Sequence, residues 1–161
     1  MPVSKMEEQE YKATYHAINQ RRCVFEKAIN ARRCACEQSA RFCLADREGV
    51  ACKSDAGNEM CTELLNTLRR NARFTLHLMY ADGPLPHAKE IRVQAGGLQG
   101  LQQLIDPDSD APDSVDNIYA LTKAVFARYE GLQDLPLDRI MQAIVSFQGR
   151  RKSSRPLKPS S

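Results

Sequence analysis

Six cysteines, Cys23, Cys34, Cys36, Cys43, Cys52 and Cys61, stand in the first 61 residues of a 161-residue chain, and none follows. Thiolates are soft ligands, and about four of them brought within a few ångström suit zinc or an iron–sulfur cluster. The spacing C-x10-C-x-C-x6-C-x8-C-x8-C supplies enough thiols. It has neither the paired C-x2-C knuckles of common zinc fingers nor the C-x2-C-x2-C run of bacterial ferredoxins. Geometry restricts the choice. On one continuous helix Cys34 and Cys36 would point about 200° apart, so they chelate together only if the helix breaks. Cys36 and Cys43 would share a face but lie about 10.5 Å apart along the axis, which makes Cys43 the poorest ligand.

Cys52 falls in the turn-rich stretch 47–58, ahead of a helix whose N-terminus favours a thiolate. Cys61 lies on the apolar face of that helix, where a free cysteine also serves as a small buried hydrophobe. The expected metal ligands are therefore Cys34, Cys36 and Cys52, completed by Cys23 or Cys61. Irregular spacing without an interleaved histidine favours an iron–sulfur cluster over structural zinc. Between Arg21 and Arg47, seven basic residues face Glu26, Glu37 and Asp46. That excess of positive charge either offsets an anionic thiolate centre or forms a solvated basic face. Two other readings compete: ordinary reduced cysteines in core and surface, and a redox-switching thiol pair.

Other signals are weaker. Asp106, Asp108 and Asp110 resemble the opening of a calcium loop, but Ala111 and Asn117 stand where Gly and Glu are required. The acidic loop is better read as favouring the N-terminus of the helix after it. Gly96-Gly97-Leu98-Gln99-Gly100 reads as a tight strand-to-helix turn, since no P-loop lysine follows. His16, His77 and His87 have no adjacent nucleophile in a recognised signature, so no catalytic residue is assigned and enzymatic activity is left open.

The elements that must position the thiols follow from periodicity. From Glu7 to about Leu44 the chain lacks Pro and Gly, which predicts one or two helices with Tyr11, Tyr15, Ile18, Phe25 and Ile29 on one stripe. Met60, Cys61, Leu64, Leu65 and Leu68 predict a helix ending near Arg70 to Ala72, with Asn58 as its cap. A small hairpin is expected from Phe74–Tyr80 and Glu90–Val93. Leu98 to Ile105, Ile118 to Tyr129 and Leu137 to Val145 read as three further amphipathic helices.

The length, 42% hydrophobic and 27% charged residues fit one globular domain over 1–149, with a cysteine-rich helical part at 7–61 and a helical scaffold at 62–149. Residues 150–161 form a basic tail expected to be flexible. The fold class is mainly α, with room for one two-stranded β-hairpin. No apolar run approaches the roughly 20 residues of a membrane span, and the net charge of +3 falls short of a dedicated nucleic-acid binder. The acidic amino terminus lacks a secretory core, so a cytoplasmic location is expected, where lasting disulfides are rare. The leading expectation is a small cysteine-rich protein binding an iron–sulfur cluster or zinc, for electron transfer or redox sensing. The alternative is a metal-free helical adaptor that binds a protein or nucleic-acid partner through the Arg21–Arg47 face or the basic tail.

Overall fold

The structure, a computed structural model, describes residues 21–76, 85–109 and 114–147, together with Glu10 and Ala13. In chain order its elements are α1 (Glu26–Asn30), β1 (Ser39–Leu44), β2 (Arg47–Cys52), α2 (Asp55–Thr75) and α3 (His87–Ile91). A π turn (Arg92–Gly96) then leads into α4 (Gly97–Ile105), followed by α5 (Ile118–Arg128), a 3-10 turn (Leu132–Asp134) and α6 (Leu137–Ser146). The described residues are mainly α with one two-stranded antiparallel hairpin. Among the described residues, no helix is long and apolar enough to cross a membrane.

The helical periodicity after Asn58 translates directly into structure. Leu64, Leu65, Leu68 and Ala72 form the buried face of α2, a helix of 21 residues. Its N-cap is Ser54, not Asn58: the Ser54 hydroxyl accepts from Gly57 N at 2.9 Å, satisfying one of the first-turn donors. The core brings α2 against α4, α5 and α6 through Leu64, Leu68, Leu98, Leu101, Ile118, Ile140 and Ile144. The expected turn at Gly96-Gly97 is instead continuous helical backbone. A Cβ on Gly96 would stand 2.9 Å from Ile144 Cα, so the glycine lets the π turn lie directly on α6.

Two expectations are corrected. The described part of 7–44 is not one helical run: α1 has five residues, Arg32 takes a φ of 63°, and Ser39–Leu44 is a strand. Phe42 and Leu44 are half-buried while Arg41 and Cys43 are exposed, the two-residue period of a strand lying on a core. The hairpin is therefore Ser39–Leu44 with Arg47–Cys52, in the register Ser39↔Cys52 to Leu44↔Arg47. Ala45 and Asp46 close it with φ of 51° and 70°, as a two-residue primed turn requires. The second correction concerns the hairpin expected at 74–93. Phe74 and Thr75 end α2, and Glu90 to Val93 are helical, with Val93 and Glu90 buried inside that helical segment. Tyr11, Tyr15, His16, Ile18, His77, Asp110 and the tail 150–161 lie outside the described residues.

Candidate functional site

Four of the five expected ligands meet at one place. Cys23, Cys36, Cys52 and Cys61 line a single small pocket, with Phe25, Ile118 and Tyr119 among its apolar walls. They arrive from four separate segments: the approach to α1, the loop before β1, the end of β2 and the second turn of α2. All six cysteines carry free thiols.

Each segment is held by its own hydrogen bonds. Residues 21–23 run antiparallel to β2: Cys23 N donates to Val50 O at 3.0 Å and Cys52 N to Arg21 O at 2.8 Å. The buried Glu26 carboxylate clasps the pair, accepting from Val50 N at 2.6 Å and from Arg22 Nε at 2.7 Å. Cys36 sits in a loop tied to the start of α5. Ala35 N donates to Val115 O and Ile118 N to Ala35 O, both at 2.9 Å, while Asn117 exchanges bonds with Glu37 at 3.2 and 2.7 Å. Cys52 Sγ donates to Ser54 O at 3.2 Å, beside the α2 cap. Cys61 Sγ lies 3.7 Å from the hydroxyl of Thr122, which is fully buried. Gly57 leaves room for the Tyr119 ring, which a Cβ would meet at 2.9 Å.

The thiols feel both burial and one another. Burial pushes Cys23 up to about 12; a backbone hydrogen bond at Phe25 opposes this, and the charges of Cys61, Cys36 and Cys52 add to it. Burial likewise pushes Cys61 up to about 11, against the Thr122 bond and with Cys36 and Cys52. These groups are therefore neutral thiols at pH 7, and a metal that binds them must displace their protons. With the thiols as they stand the free volume is about 20 Å³, room for one water-sized body. A larger group requires the cysteine side chains to swing outward about their single χ1 torsion. Among the described residues, no group of three or more His, Cys, Asp and Glu side chains is arranged to hold a metal ion.

The other two cysteines stand apart. Cys34 is buried in the hydrophobic core, its backbone bridged to Val115, and it does not line the pocket. Burial, then Cys23 and Cys36, push its thiol up to about 12, with Arg33 opposing. Cys43 is exposed on β1, opposite Glu48. Sequence reasoning missed Asn117 and Thr122. Asn117 carried a signal, an Asn just ahead of an apolar helical run, and it does cap α5 through Ala120 N at 3.4 Å. Thr122 carried none, because its role depends on α5 crossing α2. The acidic loop shows no calcium arrangement among its described residues, and His87 is exposed at the start of α3. Comparison with protein-family models, with curated proteins and with solved structures finds no match for this chain.

Proposed function

We propose that this protein holds an iron–sulfur cluster on Cys23, Cys36, Cys52 and Cys61 and acts in electron transfer or redox sensing. The observation that carries the reading is the meeting of four thiols, from four separate segments, around one apolar-walled pocket. The four cysteines line one pocket, and among the described residues no three of them are close enough to share a single ion. A single tetrahedral zinc needs all four sulfurs about 2.3 Å from one centre, whereas a cluster interposes its own iron and sulfide and spans a wider ring. The cluster supplies one-electron chemistry when bound. The protein's part is to exclude water with Phe25, Ile118 and Tyr119, and to aim the Thr122 hydroxyl at Cys61. Cys34, Cys36 and Cys52, the expected core set, thus become Cys36 and Cys52 completed by both Cys23 and Cys61.

The test is anaerobic purification without a metal-binding tag, followed by a visible spectrum and elemental analysis for iron, zinc and sulfide. A brown protein with comparable iron and sulfide is expected, with Cys36→Ser losing colour and iron together and Cys43→Ser keeping both. Zinc near one per chain would replace the cluster by a structural ion. A colourless, metal-free and stably folded protein overturns the proposal. It would leave the exposed arginines of the hairpin region, Arg32, Arg41 and Arg47, as the face for a protein or nucleic-acid partner.

A further inference from the structure

Cys23 and Val24, which line the thiol pocket, also line a larger cleft of about 360 Å³, together with Arg22, Glu26, Lys27, Arg69, Glu90 and Gln94. From its charges and its rigid floor, we infer that this cleft binds a small oxyanion, a carboxylate or phosphate group of a metabolite, next to Cys23.

The floor is built and fully bonded. Glu90, 1% exposed, receives three hydrogen bonds from Arg69 at 2.6 to 3.1 Å, one from Gln94 Nε2 at 2.8 Å and one from Leu85 N at 3.3 Å. Gln94 Oε1 in turn accepts from Ala28 N at 3.0 Å, joining the cleft floor to α1. Gln94 occupies the centre of the π turn Arg92–Gly96. Such turns are rare and concentrate at functional sites, and this one delivers its buried polar side chain to the cleft wall.

The charge balance points to an anion. Three cations face two carboxylates, and both carboxylates are already engaged, Glu26 by Arg22 at 2.7 Å and Glu90 by Arg69 at 2.6 Å. Lys27 forms no ion pair among the described residues and, half-buried, lines the cleft. A cation that no carboxylate pairs, beside a preorganised floor, attracts an oxyanion. The volume admits a small metabolite and is far larger than a single ion needs.

The inference does not depend on the cluster, because binding is read on the full chain as purified, whatever metal it carries. Inorganic phosphate and succinate are titrated separately against isotope-labelled protein, with sodium chloride at matched ionic strength as control. Saturable amide shifts confined to Lys27, Ala28 and the 90–94 segment are expected with at least one probe, and the tighter probe identifies the class of metabolite. Lys27→Met should weaken binding about tenfold or more, while Lys27→Arg stays within about threefold. Lys27 lies outside both buried ion pairs, so the Met variant keeps the fold. Absence of saturable shifts with both probes, or unchanged affinity in Lys27→Met, overturns the inference.

Discussion

The cysteine-bearing part, residues 21–54, and the bundle of α2, α4, α5 and α6 share one apolar core but differ in what else holds them. In the bundle, apolar side chains interdigitate closely enough for the Gly96 backbone to lie on α6. In the cysteine part, short elements are fastened to one another by backbone bridges and by the side chains of Glu26 and Asn117. A core of large side chains makes a scaffold, but it does not bring four separate thiols to one pocket. Directional polar bonds place Cys23, Cys36 and Cys52, because each fixes one segment against a particular neighbour, while Cys61 is carried in by α2.

The buried thiols and Glu90 should respond oppositely to pH, and this is the largest expected effect. Cys23 and Cys34 are pushed up to about 12 and Cys61 to about 11, above the ordinary thiol value of 9.0 that the unfolded chain shows. Their contribution is complete below pH 9 and is lost as pH rises towards 12, so the protein should lose stability progressively in alkali. Glu90 behaves in the other sense. Burial alone would raise it, but bonds from Arg69 and Gln94, the Arg69 charge and the Leu85 amide outweigh this and lower it below 4.5. Its contribution is present above that value and is lost as pH falls through the lowered one. Hydrogen exchange across the pH range checks both arms, and protection around Cys23 and Cys34 that is unchanged between pH 9 and 12 would break the comparison.

Ile144→Ala in α6, at a fully buried position, should cost about 4 kcal/mol and unfold both regions together in urea. Glu26→Ala should cost about 2 kcal/mol by removing the acceptor of Val50 N. Its effect is local: exchange protection of residues 21–23 and 50–52 should fall while the bundle amides hold. Equal loss of protection in the bundle would show that the clasp serves the whole fold. The smallest effect is a gain. Replacing the left-handed Ala45-Asp46 by Asn-Gly should raise stability by about 1 kcal/mol in thermal unfolding and leave the thiol site unchanged.

The bundle was largely legible in the sequence. Leu64, Leu65 and Leu68, Leu98 and Leu101, and Ile140 and Ile144 all carry the helical period, and all are buried. The hairpin was not, because Ala, Arg, Phe and Cys in 39–44 suit a helix as readily as a strand. The two-residue period there became decisive only once Phe42 and Leu44 had a core to lie on. Gly96 was visible as a residue, but its use in helix contact needed α6 alongside. Among the cysteines, the helix break between Cys34 and Cys36 was foreseeable as a condition for ligation, and α1 does end before both, at Asn30.

By itself, the amino-acid sequence determined a mainly helical class, the faces of its longer helices and the crowding of soft ligands into the first 61 residues. Those properties depend on neighbours three, four or a few tens of residues apart. Which thiols share a pocket was decided only by tertiary structure. Cys23 meets Cys52 through pairing with β2, Cys36 is placed by Asn117, and Cys61 faces in because α5 crosses α2 at Thr122. Contacts between such distant positions have no period in the chain, so no spacing rule could have excluded Cys34 from the pocket or admitted Cys61 to it.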